Sequence, residues 1–356
     1  MGPQRERELP VVSIIAWVPF GARSRELARA LVAPCHFISL QGFRHPLLAP
    51  LKYTVLAWKT WRLLRRERPR AVIVQNPPLP AIISVAFYSL ISRAPFVIDS
   101  HSAALVDAKW AWSRPVQRWL GRWALATLVH TPTLGGRLRG AGRTVVLEDP
   151  PLSLPPASRA DSLSTPRVVV VGSFAHDEPI SETLAAAARC PQLNFVLTGD
   201  SSQFLKGRVR RLPSNVSLPG WLSFQDYVDL LRSANVLVSL TTRDMTVLRG
   251  GWEAVYLAKP LVTSNWPALR SCFFKGAIFV SNDAESIAAG VAEALRCLDE
   301  LTAAMVQLRL EKQKAWENGL QGLRKLLAGS AFGSSARTAA EPAANELAQP
   351  IMDEKR

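Results

Sequence analysis

Cysteine is scarce in this chain: Cys35, Cys190, Cys272 and Cys297 are the only ones in 356 residues, and none forms a Cys-x-x-Cys pair. That pattern suggests neither a zinc site nor a disulfide framework, and it fits a reducing compartment. Long apolar runs are missing as well. The most apolar stretch, Ala81–Ile91, has 11 residues. It is too short to cross a bilayer and reads as a buried helix. Pro10–Phe20 is apolar behind a charged start but lacks a small-residue cleavage site, so it reads as a first buried strand rather than a signal peptide. Met1-Gly2 opens like a myristoylation site, yet Glu6 stands where Ser or Thr is required. No Asp-x-Asp pair occurs anywhere. Acidic residues are also few, 28 against 43 Lys and Arg, for a net charge of +15. The imbalance is local: residues 1–150 hold 21 basic and 8 acidic residues, and the remainder 22 and 20. A charge confined to one half points to a polyanionic partner: an anionic membrane, a nucleic acid or a phosphorylated substrate.

What is present is an alternation of short apolar runs with helical stretches. Val11–Trp17, Ala71–Gln75, Phe96–Asp99, Ala126–His130 and Val145–Leu147 read as buried strands. Arg23–Val32, Leu51–Arg66, Pro80–Ser92 and Arg114–Ala124 read as the helices between them. Proline-rich residues 151–166 break the pattern and read as a linker. Alternation then restarts, with strands at Arg167–Val171, Asn194–Thr198, Val216–Leu218, Val236–Ser239, Leu261–Thr263 and Ala277–Val280. Strand-helix alternation predicts α/β architecture with parallel, doubly wound sheets. The expected organisation is two Rossmann-like domains, residues 1–150 and 167–328, facing each other across a cleft. The second closes with a long helix from Leu298 to Leu327, and residues 329–356 read as a disordered tail. Ligands of such sheets bind outside the carboxyl ends of the strands, so the loops there are where chemistry is sought.

The segment Ser239–Ser264, SLTTRDMTVLRGGWEAVYLAKPLVTS, is the most informative. A strand ends, a polar loop with Arg243, Asp244 and Arg249 follows, and Gly250-Gly251 opens a helix. Amides at a helix start cradle phosphate, glycine permits close approach, and a guanidinium suits bidentate phosphate contact. Glu253 lies one turn inside, where a carboxylate can accept from ribose hydroxyls. The plainer reading is a helix start with surface arginines and a favourable first-turn anion.

These residues resemble the GT-B glycosyltransferases of the family-four type, as in bacterial cell-envelope and exopolysaccharide synthesis. Gly250, Glu253-Ala254, Lys259-Pro260 and Leu261–Ser264 match that group's donor segment. The resemblance implies that Glu253 holds the donor ribose and that Arg249, Gly250 and Gly251 hold the diphosphate. Met245 stands eight residues before Glu253, where the group carries a glutamate contacting the transferred sugar; Asp244 beside it is the candidate replacement. Gly172 and Ser173 follow the first strand of this domain, where the group places a phosphate-binding Gly-Arg turn. The arginine and a downstream lysine are absent, which shifts the phosphate onto Arg249. His176 reads as an acid/base group or a solvated loop residue. Trp221, in Pro219-Gly220-Trp221, matches the segment on which the nucleotide base packs, or else it is core.

In the first domain, Gly21 corresponds to the glycine facing the donor phosphate, and Arg23 adds charge at the cleft mouth. Gln75-Asn76-Pro77-Pro78 and Ile98-Asp99-Ser100-His101 resemble segments of lipid-linked-oligosaccharide mannosyltransferases. Asp99 and His101 are the expected catalytic pair, the imidazole hydrogen-bonding a sugar hydroxyl or developing charge; a capping histidine is the alternative. The resemblance implies a UDP- or GDP-linked sugar donor, no cofactor and no metal.

Leu51–Arg66 adds a membrane signal. At about 100° per residue, Lys52, Lys59, Arg62, Arg65 and Arg66 share one arc with Leu51, Val55 and Trp58, while Tyr53, Leu56, Ala57, Leu63 and Leu64 face the core. Lys109–Arg122 repeats the Trp/Arg mixture. Aromatics among cations suit an interfacial helix on anionic lipid. The expected activity is glycosyl transfer to a lipid-linked or glycan acceptor at the cytoplasmic face of the cell membrane. A catalytically weakened scaffold is the alternative. A nucleic-acid-binding protein is a further one, but no recognised nucleic-acid module is present.

Overall fold

A computed structural model describes residues 12–40, 46–152, 154–157, 165–202 and 212–332. The first domain runs β1 (Val12–Ala16), α1 (Ala22–Leu31), β2 (Cys35–Phe37), α2 (Ala49–Glu67), β3 (Ala71–Asn76), α3 (Leu79–Ser92) and β4 (Phe96–Ser100). It continues with α4 (Ser102–Val106), α5 (Arg114–Gly121), β5 (Ala126–Val129), α6 (Pro132–Gly136) and β6 (Thr144–Val146). The second holds β7 (Arg167–Val170), α7 (Ile180–Ala188), β8 (Asn194–Leu197), β9 (Val216–Ser217), α8 (Phe224–Ser233) and β10 (Val236–Ser239). It ends with α9 (Arg249–Leu257), β11 (Leu261–Ser264), α10 (Pro267–Cys272), β12 (Ala277–Val280), α11 (Ala284–Arg296) and α12 (Leu298–Phe332).

Each domain is one all-parallel sheet of six strands, ordered β2-β1-β3-β4-β5-β6 and β12-β11-β10-β7-β8-β9. The two Rossmann-like α/β domains expected from the alternation are therefore present. The central strands are buried along their whole length and mostly apolar, because helices cover both faces. On the first sheet, α2, α3 and α5 bury Leu56, Leu64, Ile82, Val85 and Leu120 against one face, and α1 covers the other with Leu27 and Leu31. Strand order reverses between β1 and β3 in the first sheet and between β7 and β10 in the second. The loops after these four strands are the switch points at which doubly wound sheets bind ligands.

Helix α12 joins the domains. Met305 and Leu308 sit in the core of the second, and Trp316, Leu320, Leu323 and Leu327 in that of the first. Lys312 donates to Glu148 at 2.7 Å and Arg324 to the Ala30 carbonyl at 2.6 Å. The helix runs on to Phe332, past the start of the expected tail, whose residues 333–356 lie outside the described ones, as does much of the linker.

Two expectations are corrected. Helix α3 is not buried all round: Ile83, Phe87, Leu90 and Ile91 are exposed on its outer face, because it covers the sheet as a single outer layer. Trp221 is not core: it is 88% exposed on the loop before α8.

Candidate functional site

Arg23 organises the floor of the first domain. It sits in the first turn of α1 and turns inward. Its Nε donates to Asp99 at 3.1 Å, its Nη1 to Asp149 at 2.9 Å and to the Glu148 carbonyl at 2.8 Å, and its Nη2 to the Leu147 carbonyl at 2.7 Å. The side chain is buried with every guanidinium nitrogen engaged. It is therefore not at the cleft mouth. Gly21, the N-cap of α1, packs beside Gln75: a Cβ there would lie 3.2 Å from Gln75 Oε1.

Asp99 and His101 are brought together as expected. His101 Nε2 lies 3.4 Å from Asp99 Oδ2, and its ring meets that of His130 edge-on at 5.0 Å. His130 Nδ1 lies 3.6 Å from Asp149. Burial would raise the Asp99 carboxyl, but Arg23 and then His101 outweigh it and hold it well below the usual carboxylate range. Asp149 is lowered in the same way, against burial, by His130 and Arg23. Burial, and then Arg23, push the His130 imidazole down to about 3. Asp99, His101 and His130 offer ligand atoms within 4.8 Å of one another. A divalent cation there would share Asp99 with the Arg23 guanidinium, a like-charge cost at short range. Sequence reading passed over His130 and gave no role to Asn76, whose buried side-chain amide at the end of β3 has no partner among the described residues.

In the second domain the loops after β7 and β10 are tied together. Asp177 accepts from the Thr242 amide at 2.7 Å through its carbonyl and from Thr241 Oγ1 at 3.2 Å through its carboxylate. Helix α9 then starts at Arg249 behind Leu248, with no side-chain cap. Gly250 and Gly251 serve packing. A Cβ on Gly250 would lie 2.7 Å from Val171 Cβ, and one on Gly251 2.4 Å from the Phe273 ring. Their missing side chains let α9 seat on the sheet, which leaves its first amides at the loop mouth. Glu253 is 2% exposed and has a hydrogen-bond partner on each carboxylate oxygen. It accepts from Tyr227 Oη at 2.5 Å and from Arg249 Nε at 2.8 Å. Arg249 is 43% exposed, so one edge of its guanidinium is anchored inside and the other faces out.

The loop expected to bind phosphate through Gly172 and Ser173 is filled from within. The Glu178 carboxylate accepts from the Ser173 amide at 2.9 and 3.0 Å, from Ser173 Oγ at 3.0 Å and from the Ala175 amide at 3.3 Å. Its Oε2 lies 2.8 Å from where a Gly172 Cβ would stand. An internal anion thus occupies the amides that the resemblance assigns to a donor phosphate.

Asp244 accepts from the Met245 amide at 2.7 Å and shapes its own loop. Met245 reaches across to the first domain and packs on Leu105, Val129, Leu134, Leu138 and Ala141. Arg243 also crosses: Nη1 lies 3.6 Å from Asp107, Nε 4.0 Å from Asp177, and Nη2 contacts His176.

The sequence matches no family profile and no curated protein. Solved structures do match. Sucrose-phosphate synthase from Thermosynechococcus elongatus is 17% identical, with a TM-score of 0.70 over 91% of this chain and 100% of that one. Anabaena HepE in complex with UDP and glucose is 14% identical, with a TM-score of 0.67 over 90% and 100%. A glycosyltransferase from Rickettsia africae is 10% identical, with a TM-score of 0.68 over 91% and 100%. The chain therefore has the GT-B fold of these glycosyltransferases.

Two outcomes follow from the buried network. Arg23→Leu takes the cation from buried Asp99 and half-buried Asp149 and is expected to cost about 3–5 kcal/mol in chemical denaturation; a loss under about 1 kcal/mol would contradict the network. Folded His130 is neutral where unfolded imidazole, with a pKa near 6.5, is protonated. The unfolded state then binds more protons, so stability falls as pH drops from about 6.5 toward 3, by up to about 1.4 kcal/mol per pH unit. Denaturation of His130→Asn across about pH 4.5–6.5 should show that slope reduced by one proton.

Proposed function

We propose that this chain is a glycosyltransferase that moves a sugar from a nucleoside-diphosphate donor, UDP- or GDP-linked, to a lipid-linked or glycan acceptor in cell-surface polysaccharide synthesis. The observation that carries the proposal is Arg249: a half-exposed guanidinium at an uncapped helix start, at the switch point of the second sheet, held by buried Glu253. Such a group is preorganised for the charge that develops on a departing diphosphate. The dipole of α9 adds to it. Arg243 supplies a second cation on the same loop. Glu253 orients Arg249, and the lone pairs left on its carboxylate can accept from a ribose. The exposed Trp221 indole offers a face on which a nucleobase stacks. His101, beside Asp99, is the acceptor-side group. No metal is assigned, because fixed cations serve the diphosphate.

With Glu178 in the amides of the β7 loop, the diphosphate depends on Arg249 more than on Ser173. Isothermal titration with UDP and GDP tests this. Arg249→Ala should weaken binding about tenfold or more, the loss of one or two charge-assisted hydrogen bonds, while Ser173→Ala changes it less than about threefold. Absence of binding by both nucleotides would sink the proposal. Met245 and Glu178 favour a second reading, a relative that binds nucleotide without transfer; nucleotide affinity with no sugar release from any donor is its signature.

The site of action we assign is the inner membrane face, reached peripherally. No helix among the described residues is long and apolar enough to cross a membrane. Helices α2, α3 and α5 form one layer and expose Leu51, Trp58, Phe87, Leu90 and Trp119 among Lys59, Arg62 and Arg65, with Arg122 and Trp123 in the turn just after α5. The guanidinium of Arg62 lies 5.5 Å from the Trp58 ring. Aromatics and cations on one face suit anionic lipid, each cation adding about 1 kcal/mol. Charge reversal of Lys59, Arg62 and Arg65 should abolish flotation with anionic liposomes; unchanged flotation would remove the membrane from the proposal.

A further inference from the structure

A pocket of about 110 Å³ lies between α4, α5 and the segment just after α6, lined by Arg114, Arg118, Arg137, Leu105 and Leu138. Its cations are not spent on carboxylates: among the described residues, none of these arginines has an acidic side chain within ion-pair distance. Arg114 donates from Nη2 to the Asp107 carbonyl at 2.9 Å, and Arg118 from Nη2 to the Arg137 carbonyl at 2.8 Å. Those bonds fix where the side chains stand without neutralising them. The Nε of Arg114 is buried with no partner. Guanidinium groups gathered around one small space repel one another, and a bound anion reverses that cost.

Two features narrow the ligand. The pocket adjoins the interdomain contact: Leu105 and Leu138 belong to the apolar cluster on which Met245 packs, and Asp107, which holds Arg114, also meets Arg243. An anion seated there is therefore close to the donor loop but belongs to the first domain. The other side of α5 carries Val116 and Trp119, both exposed, with the exposed Trp112 just before the helix and Trp123 just after it, its ring 6.1 Å from that of Trp119. Arg114 and Arg118 are one turn apart on the pocket side, and Val116 and Trp119 are one turn apart on the far side. One short helix thus separates a cationic pocket from an aromatic face open to solvent.

We propose that this pocket binds the phosphate or diphosphate of an amphiphilic acceptor, with the apolar tail lying along the tryptophan face of α5. Guanidinium forks suit phosphate oxygens bidentately, and tryptophan suits the edge of an acyl or isoprenoid layer. The inference rests on the glycosyltransferase reading for the word acceptor, but the anion site stands or falls by itself.

The test uses the full chain with UDP at saturation, so that the donor site is filled, and titrates pyrophosphate and farnesyl diphosphate. Arg118 and Arg137 are exposed, so the double variant Arg118→Gln/Arg137→Gln should keep the fold. Both ligands are expected to bind the wild type and to lose about tenfold or more in the variant, the equivalent of about 1.4 kcal/mol. Farnesyl diphosphate should bind more tightly than pyrophosphate, and UDP affinity should be unchanged. No binding to the wild type, or equal affinity in the variant, overturns the proposal. Flotation on phosphatidylglycerol vesicles tells a bilayer headgroup from an acceptor: lost flotation with unchanged farnesyl diphosphate affinity would assign the pocket to bulk lipid and overturn it. If UDP fails to bind while farnesyl diphosphate still depends on Arg118 and Arg137, the donor reading fails and the pocket stands.

Discussion

The ion-pair network of Arg23 is the constraint on which the first domain is arranged. One guanidinium gathers Asp99 from the end of β4, Asp149 from the chain leaving the domain, and the carbonyls of Leu147 and Glu148. Burying charge is costly unless every donor is matched, and here each guanidinium nitrogen has a partner. The network fixes the carboxyl ends of the strands relative to the exit segment, and so fixes His101 against Asp99. Glu148 next to it takes Lys312 of α12, which carries the constraint into the helix joining the domains. Cleft floor and domain linkage thus share adjacent residues.

The second domain solves a different problem. There the task is to present positive charge outward from a buried frame. Gly250 and Gly251 let α9 settle on Val171 and Phe273, which points its first turn into the loop mouth. Glu253 is buried one turn later, and its carboxylate would be unfavourable alone. Tyr227 and Arg249 satisfy it, and the outcome is an arginine pinned by one edge. Burial and the Glu253 charge push the Tyr227 phenol well above its ordinary range, so it remains a donor to that carboxylate at any physiological pH. A carboxylate that looks like a ligand group is, in the folded chain, also the anchor of the cation beside it.

Most of the fold was legible because buried parallel strands read as near-continuous apolar runs and helices interrupt them with another period. The elements that escaped, β2, α4, α6 and α10, have three to six residues, too few to show a period. Helix α3 misled because an apolar sequence says nothing about how many of its sides are covered. At the site, Asp99 with His101 and Arg249 with Glu253 could be read because each pair lies within one turn or one strand end. Arg23 could not: its partners are 76 and 126 residues away, so nothing local marks it as inward-facing. Glu178 was missed for a related reason. Its neighbours are near in sequence, but only the loop's path turns the Ser173 and Ala175 amides toward it.

Met245 shows how a departure from a pattern acquires a physical meaning. A glutamate at this position would bring a charge against Leu105, Leu134 and Leu138; methionine instead buries its thioether there. The residue before it in the loop but one, Arg243, meets Asp107 across the same boundary. The loop that leaves β10 is thus fastened to the first domain by one apolar and one ionic contact. Opening the cleft must break both, at a surface where neither is deeply buried and each contributes little. That combination suits a boundary that closes over ligands and separates again, and the arginine pocket beside α5 adjoins it. An acceptor held by that pocket would sit on the first domain, while a diphosphate held by Arg249 would sit on the second.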